Sequence, residues 1–429
     1  MASLSDGIAQ KRLRSIADGL VVAVAVTLPW STSATAILAV LSVLVLLCTL
    51  RWPELRREIM SPAGGLPVLL VVLGIVGMLW ADVPLLDRWK GLDSFLKLLA
   101  IPLLLAQFRR SERGEWVFIG YLLSCLVLLL VTIIVMATPW ASSLLTWENV
   151  LVKNATTQSG EFVTCIFGLL YLVRDAAQRR EWWKPLSLVA IIIIMLADIF
   201  YASTGRTAPV VALVLLVLFA TKSVRAKGIA LLVAGVAVLG AVGWASSPYL
   251  RFRVGSILTE INTYQTTNER TPSGERIEFW KKSIEFIREA PVIGHGTGLI
   301  HGLFEKSAIG QTGTTAVAAA NPHNQTLAVG IQLGLIGIVV LWAMWMAHLL
   351  LFRGEGIAAW IGLVIVVQNF VGSLFNSHLF DFTQGWTYVV GVGVAGGMVR
   401  SAMQNFGGHQ HMPPQNESAR SIDASTRTR

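Results

Sequence analysis

The chain has 429 residues, of which 54% are hydrophobic and only 14% are charged, and its mean hydropathy is +0.64. A soluble domain usually carries about 25% charged residues, so this composition excludes an ordinary soluble enzyme, a disordered chain and a fibrous protein. The net charge of +9 would suggest a nucleic-acid partner in a soluble protein, but here the position of each basic residue matters more, and no nucleic acid is expected. The apolar residues suffice for about a dozen helices of roughly 20 residues, which predicts an all-α polytopic membrane protein.

Apolar segments follow one another along the chain and predict twelve transmembrane spans. The spans are residues 16–30, 34–50, 64–81, 93–108, 116–137, 159–173, 185–201, 207–221, 228–246, 326–350, 357–375 and 385–399. The seventh and eighth spans are joined only by the sequence ASTGRT, which predicts a tight helical hairpin.

Basic residues in the short loops predict the orientation of these helices. With the amino terminus in the cytoplasm, the short inner loops hold most of the Lys and Arg residues and the short outer loops hold almost none. Both termini are then cytoplasmic. The organisation is nine spans in 1–246, an outer loop of 247–325 and three spans in 326–400, followed by a polar tail, 401–429, that is predicted to be disordered.

The outer loop 247–325 is unusually rich in positive charge. Its basic residues are Arg251, Arg253, Arg270, Arg276, Lys281, Lys282, Arg288 and Lys306. Long segments cross the membrane largely regardless of charge, so this cluster agrees with the topology but needs a functional explanation.

Within that loop, the sequence SGERIEFWKKSIEFIREAP predicts an amphipathic helix. Ser273 can cap its first turn and Pro291 stops it. One face carries Ile277, Trp280, Ile284 and Ile287. Such a helix can lie along the bilayer surface or pack against other parts of the protein, and both interpretations stay open.

Three familiar kinds of phosphate chemistry are absent from the sequence. It contains no GxxxxGK[ST] loop for ATP and no Asp-x-Asp pair for a divalent ion, and no outer cluster has zinc-ligand spacing. If the protein handles phosphates, fixed cations must neutralise them.

Two arginines are candidates for that role. Arg206 lies in STGRTAPV at the mouth of the predicted hairpin, where a guanidinium either clamps an anion or extends toward the membrane surface. Arg276 lies one helical turn before Trp280, near a helix amino terminus that favours anions, and the alternative is a solvated surface arginine. The glycine-rich residues 294–298, GHGTG, form either a backbone nest for phosphate or a plain turn.

His323 is the candidate base. It lies in NPHNQTL, just before the tenth span, between Asn321 and Asn324. A neutral imidazole with a pKa of about 6.5 can accept a proton at physiological pH. The alternative is an interfacial histidine that makes one hydrogen bond.

Together these fragments resemble the O-antigen ligase/polymerase family of membrane glycosyltransferases. The matching features are the large late outer loop, Ser203-Thr204-Gly205-Arg206, Arg276 to Trp280, Pro291 to Gly298, and Pro322-His323-Asn324 with Leu327. The first motif departs from the family's SGR by one inserted threonine. The resemblance covers roughly residues 185–350 by motif and the whole chain by topology, and among members it is greatest to those that ligate O-antigen to lipid A-core.

The resemblance implies a GT-C-like fold of about 12 transmembrane helices with a large periplasmic helical loop, in the bacterial inner membrane. It implies an inverting, metal-independent glycosyltransferase without a cofactor, whose active site faces the periplasm. The donor would be O-antigen on undecaprenyl diphosphate and the acceptor lipid A-core, with membrane lipids as the other partners. His323 would then be the base, and Arg206 and Arg276 would stabilise the diphosphate leaving group.

Further polar residues are predicted on the same side of the membrane. The candidates for substrate binding are Arg88, Lys90, Lys153, Arg288, Asn321 and Asn324. Each of the basic ones can bind the diphosphate or a phosphorylated acceptor, or can be a solvated residue.

Other functions remain open at this stage. O-antigen polymerases and protein O-oligosaccharyltransferases share the same motifs. A secondary transporter with twelve helices is an alternative of another class, since Lys97, Asp198 and Asn369 lie in or near apolar segments. A membrane scaffold protein gives no reason for Arg206, Arg276 and His323 to share one side.

Overall fold

The computed structural model describes residues 2–146, 150–181, 183–202, 207–223, 245 and 248–409. These residues form helices without any β-strand, which confirms the all-α prediction. The helices are α1 (Ala2–Thr27), α2 (Thr32–Thr49), α3 (Trp52–Ile59), α4 (Pro62–Gly77), α5 (Leu85–Leu96), α6 (Ala100–Phe108), α7 (Gly114–Ala137), α8 (Ala155–Gln178), α9 (Trp183–Ala197), α10 (Thr207–Ser223), α11 (Pro248–Thr267), α12 (Pro272–Glu289), α13 (Ile300–Ala308), α14 (Gln325–Leu351), α15 (Ile357–Gly372) and α16 (Phe382–His409). Arg206, the ninth predicted span except residue 245, and the tail after residue 409 lie outside the described residues.

The apolar helices are those of a membrane protein. In the described ranges, four segments are long and apolar enough to cross a membrane: Thr32–Thr49, Leu85–Phe108, Gly114–Ala137 and Gln325–Leu351. The pair α3 and α4, bent by 83°, makes a fifth if it is counted as one span. Shorter apolar helices are Pro185–Phe200, Thr207–Lys222 and Ile357–Gly372. These helices overlap the predicted spans, whereas the total of twelve and the GT-C-like arrangement remain predictions.

Small residues allow α16 to pack closely against its neighbours. The sequence GVGVAGG places glycines on the sides that face α6 and α15. A Cβ atom at Gly393 would lie 2.4 Å from Leu104 Cβ, and one at Gly391 would lie 2.1 Å from Ile365 Cδ1. Membrane helices associate by such close contact because lipid supplies no hydrophobic driving force between them. The core of the bundle therefore lies along α16.

Helix α14 is interrupted at Gly334, and residues 291–298 repair the interruption. Gly334 has φ 61° and ψ −157°, which breaks the helical hydrogen-bond ladder. Backbone bonds replace it: His295 N to Ile331 O, Gly296 N to Gln332 O, Leu335 N to Pro291 O, and Ile336 N to Val292 O. Backbone polar groups inside a membrane protein must be satisfied internally, so this loop and the break in α14 depend on each other.

The amides of residues 294–298 are all used in this way. Gly294 N donates to Ala290 O, Thr297 N to Gly77 O, and Gly298 N to the Gln332 side-chain oxygen, in addition to the bonds made by residues 295 and 296. No amide of this segment is left to bind an anion. The interpretation of GHGTG as a phosphate-binding nest is therefore wrong, because the segment serves as a structural turn.

Helix α12 confirms the amphipathic helix, although its cap differs from the prediction. Thr271 Oγ1 accepts a hydrogen bond of 3.1 Å from Gly274 N, while Ser273 donates its hydroxyl to Glu260. The assignment of Ser273 as the cap is wrong because Pro272 occupies the first helical position, where its missing N–H is not needed. The helix ends at Glu289, before Pro291.

Protein packing covers the phenylalanine side of α12. Phe279 and Phe286 contact Phe304 of α13, with ring centroids 5.6 Å and 5.2 Å apart. Ile284, on the predicted membrane-facing side, is 44% exposed. The helix thus rests on protein through one side and exposes part of the other, as an interfacial helix would.

We predict that Gly296→Ala destabilises the protein by about 1–3 kcal/mol, because a new side chain must be accommodated in a packed loop. Gly296 has φ 101°, and a Cβ atom there would lie 2.6 Å from Ala81 Cα. Thermal unfolding of the purified protein measures the effect. Gly255→Ala is the control, since Gly255 lies in α11 with no atom within 4 Å of its Cβ position. Equal stability of the two variants would contradict the close packing described for the loop.

Candidate functional site

A cavity of about 1000 Å³ opens at the end of the bundle where α14 begins. It is lined by α5, α13, the turn before α14, and the loop 373–381 between α15 and α16. Its titratable lining residues are Lys90, His301, Lys306, His323, Asp87, Glu305 and Asp381. The volume and the mixture of charges suit a large polar ligand.

His323 lies in this cavity on a turn that its neighbours stabilise. Its backbone is left-handed, with φ 53°, a conformation that side-chain-bearing residues adopt at an energetic cost. Asn321 Oδ1 accepts a hydrogen bond of 2.9 Å from His323 N, and Asn324 Oδ1 caps α14 by accepting 3.1 Å from Leu327 N. Both asparagines thus hold the turn, and their contact with a substrate stays a prediction.

Asn376 determines which imidazole nitrogen of His323 carries the proton. Asn376 Oδ1 lies 3.0 Å from His323 Nδ1 and 2.9 Å from Ser377 N. A backbone amide can only donate, so the shared atom is an acceptor and His323 Nδ1 must donate to it. Nε2 then has the lone pair and is the basic nitrogen.

The surroundings of His323 favour the neutral form of its imidazole. Burial lowers the pKa of His323 below 6.5, and the hydrogen bond to Asn376 opposes this lowering in part. The positive charge of Arg276 adds a smaller lowering effect, and Glu275 a still smaller raising one. The ring of Phe279 lies nearly parallel to the imidazole, at 20° with centroids 6.2 Å apart. The side chain is therefore both positioned and kept in the form that can accept a proton.

The loop 373–381 is clamped to the start of α14. Gln325, which is fully buried, accepts hydrogen bonds from Leu379 N at 2.9 Å and Phe380 N at 3.2 Å. The other bonds of the clamp are Gln325 N to Ser373 O, Asn324 Nδ2 to Leu374 O, and Ser377 Oγ to Asn321 Oδ1. These bonds fix the distance between His323 and Asn376.

Lys97 holds the same loop from the other side. Its ammonium group donates to the carbonyls of Phe380, at 3.2 Å, and Asp381, at 2.9 Å. The ammonium group of Lys97 is therefore committed to the backbone of this loop. Asp198 and Asn369 also have partners in the bundle, the side chains of Gln158 and Trp345.

Of the two arginines predicted to be catalytic, Arg276 lies near His323 and Arg206 lies outside the described residues. Arg276 lies in the second turn of α12, close enough to His323 for its charge to lower the imidazole pKa. One turn later, the indole N–H of Trp280 is buried and has no hydrogen-bond acceptor among the described residues. Arg206 lies outside the described residues, so its position relative to His323 remains a prediction.

The remaining basic candidates have different surroundings. Arg88 donates to the carbonyls of Val83 and Met78, both at 2.9 Å, and so fastens the turn after α4. Lys153 is bound to Thr383 Oγ1 at 2.9 Å and lies 3.8 Å from the carboxylate of Glu161. Arg288 is exposed near the end of α12. Lys90, in contrast, lines the cavity.

Sequence reasoning missed Asn376 and Phe279, and it named Lys306 only as a member of the basic outer loop. Asn376 and Lys306 reach the cavity from segments far from His323 in the chain, and Phe279 lies on the face of α12 that was not assigned to packing. A single lysine or asparagine in a polar loop does not predict that the residue will line a cavity formed by distant segments. The asparagine's neighbours, SLFNSHLFDF, follow no recognisable motif.

The helices and this cavity define a multi-helix membrane protein with a polar site at one end of its helices. Residues 190–342 match the family model described as O-antigen ligase, a range that contains both Arg276 and His323. This region of the chain is therefore similar to the O-antigen ligase family. The chain is also 26% identical over 157 residues to an uncharacterized protein of Haemophilus influenzae, covering 36% of this chain and 39% of that protein.

We predict that Asn376→Asp raises the pKa of His323 by about one pH unit, because a carboxylate at the Nδ1 position favours the imidazolium ion. Histidine NMR of the labelled protein in detergent, with His323→Gln to assign the signal, measures the titration. Asn321→Asp is the control: it adds the same charge next to the backbone N–H rather than the ring and should have a smaller effect. An unchanged pKa in Asn376→Asp would contradict the assigned hydrogen bond.

Proposed function

We propose that the protein is an inverting, metal-independent glycosyltransferase that moves O-antigen from undecaprenyl diphosphate to a sugar hydroxyl of lipid A-core. In this proposal it spans the bacterial inner membrane about twelve times in a GT-C-like arrangement, with cytoplasmic termini. The cavity then faces the periplasm. The O-antigen ligase family match over residues 190–342 supports the class of lipid-linked polysaccharide substrates.

The observation that carries the proposal is the state of His323 in the cavity. A neutral imidazole whose Nδ1 is committed to Asn376 offers Nε2 to one proton donor in the cavity. In the proposed step, the acceptor hydroxyl oxygen attacks the anomeric carbon of the glycan while its proton passes to His323 Nε2. The bond from that carbon to the diphosphate oxygen breaks, and undecaprenyl diphosphate leaves with the bonding electron pair.

Cations must stabilise the diphosphate as its charge develops. Arg276 is assigned this role because it lies near His323, and Arg206 because it occupies the matching motif of the family. A guanidinium binds phosphate oxygens through two parallel N–H bonds, which suits this task better than a lysine. The buried indole N–H of Trp280, on the same helix, has no acceptor among the described residues and is assigned as a further donor for a substrate oxygen.

The acceptor is assigned to the part of the cavity next to α5 and α13. Lys90 and Lys306 line it and can bind the phosphate groups of an inner-core oligosaccharide. Lys90 pairs with Asp87 at 3.0 Å, an exposed contact that a phosphate can replace at little cost. Arg88, Asn321 and Asn324 also hold the backbone around the site. Lys153 and Arg288 are assigned to contacts outside this cavity.

We expect His323→Ala to fold and insert normally but to lose glycan transfer by about 10²–10⁴-fold, the usual contribution of a positioned base. Transfer by the purified protein from a lipid-diphosphate donor to lipid A-core measures the loss. His301→Ala is the matched control, because His301 lines the same cavity but makes no hydrogen bond to the turn of His323 among the described residues, and the variant should keep most of its activity. Full transfer by His323→Ala would remove this residue from catalysis.

Lipopolysaccharide from a deletion strain distinguishes the ligase from its relatives. A strain without the ligase should make rough lipopolysaccharide and accumulate long polymer on its lipid carrier. A strain without a polymerase would instead cap its core with single repeats. Wild-type protein should restore the smooth form and His323→Ala should not. Unchanged lipopolysaccharide, or transport of a solute by the reconstituted protein without glycan transfer, would contradict the proposal.

A further inference from the structure

At the end of the helices opposite the cavity, arginines surround a buried glutamate. Glu58, at the end of α3, has no exposed side-chain area and accepts a hydrogen bond of 2.9 Å from Arg109 Nη1 and another from Arg400 Nη1. Arg57 Nε lies 3.8 Å from the same carboxylate. Arg400 also donates to Ser61 Oγ at 3.0 Å. These contacts join α3, the end of α6 and the later part of α16.

The charges at this corner do not balance. One carboxylate faces the guanidinium groups of Arg57, Arg109 and Arg400. The side chains of Arg109 and Arg400 are only 14% and 15% exposed, so their charges are largely removed from water. Arg109 Nε is buried and has no hydrogen-bond acceptor among the described residues. Buried charge of one sign needs a counter-charge, so the corner can take an additional anion.

The same side chains open onto a depression of about 340 Å³. Its lining residues are Arg57, Ser61, Arg109, Arg400, Met403 and Gln404. None of these carries a negative charge, because Glu58 lies behind the arginines. The neighbouring Arg110 is already paired with Glu54 at 2.5 Å and does not add to the imbalance. A phosphate oxygen entering the depression would meet the guanidinium groups and the side-chain amide of Gln404, because the Ser61 hydroxyl already donates to the Glu58 carbonyl.

The position of α3, which carries Arg57, indicates how deep the depression lies in the membrane. The axis of α3 is bent by 83° from that of the apolar helix α4. Trp52, at the start of α3, is 66% exposed, and Met60, just after its end, is 74% exposed. A short amphipathic helix that crosses the end of a membrane helix and exposes a tryptophan lies at the level of the lipid headgroups. The anion within reach of the depression is therefore a lipid phosphate.

We propose that Arg57, Arg109 and Arg400 bind the phosphodiester of an anionic membrane phospholipid at this corner. The lipid tails would lie along the apolar surface of α4, while Met403 and Gln404 border the headgroup. Arg57 is the accessible member, with a side chain 51% exposed, and Arg109 and Arg400 form the buried base of the site. The site is independent of glycan transfer, since it lies at the other end of the helices from His323.

Native mass spectrometry of the full-length protein in neutral detergent tests the proposal. The protein is titrated with phosphatidylglycerol, with phosphatidylcholine of the same acyl chains, and with inorganic phosphate, at an ionic strength that screens diffuse surface attraction. We expect preferential retention of phosphatidylglycerol. Arg57→Gln should weaken it about tenfold, the loss of one charge-assisted contact.

Arg56→Gln is the matched control. Arg56 is the preceding residue of the same helix and is also exposed, but it does not line the depression. The variant removes the same charge and should leave retention of phosphatidylglycerol unchanged. Thermal unfolding without added lipid checks that both variants are folded.

Three outcomes would overturn the proposal. Equal retention of the two phospholipids would show that the headgroup charge is not recognised. Equal weakening by Arg57→Gln and Arg56→Gln would show only diffuse attraction to a basic surface. Displacement of phosphatidylglycerol by millimolar inorganic phosphate, with the same dependence on Arg57, would assign the site to a free phosphate rather than a lipid.

Discussion

The candidate site depends on the clamp between the start of α14 and the loop 373–381. Gln325, buried completely, accepts two backbone amides of that loop, and Lys97 binds two of its carbonyls from the opposite side. A loop between two membrane helices has no secondary structure of its own to satisfy its polar backbone. Side-chain amides and an ammonium group take over that task, and they thereby set the position of Asn376 against His323.

The break in α14 follows the same physical rule. Breaking a helix at Gly334 leaves carbonyls and amides that apolar surroundings cannot satisfy, and residues 291–298 supply the missing partners. The motif P-x-x-G-x-G-x-G therefore acts on the backbone of the neighbouring helix. Its contribution to the site is indirect, because it joins α12, which carries Arg276, to α14, which begins beside His323.

The two ends of the helix bundle use positive charge differently. At the cavity, cations stand near a neutral imidazole, and burial together with Arg276 lowers the pKa of His323. At the other end, Arg109 and Arg400 neutralise a buried glutamate and leave positive charge in excess. In both places a guanidinium is held in a partly dry environment, where its interaction with a phosphate is stronger than in water.

Composition and local pattern determined the class of protein and the candidate residues. Long apolar segments predict helices because a membrane permits little else, and α7, α12 and α14 lie where the sequence places them. His323 was recognisable because it lies just before an apolar span, and Arg276 because it lies near the start of an amphipathic helix in a basic loop. The start of α5 at Leu85 was not predicted, because the charged residues Asp87 and Lys90 are typical of a loop. In the structure both residues lie in this helix and line the cavity.

Only the tertiary structure decided how these residues act. The pairing of His323 with Asn376, the buried contacts of Lys97 and the structural use of GHGTG all join segments that are distant in the chain. A local sequence pattern predicts which face of a helix is apolar, but it does not predict which loop will pack against that face. Hydrogen bonds across such distances are chosen by packing, since a buried polar group binds whichever partner the surrounding helices bring within reach.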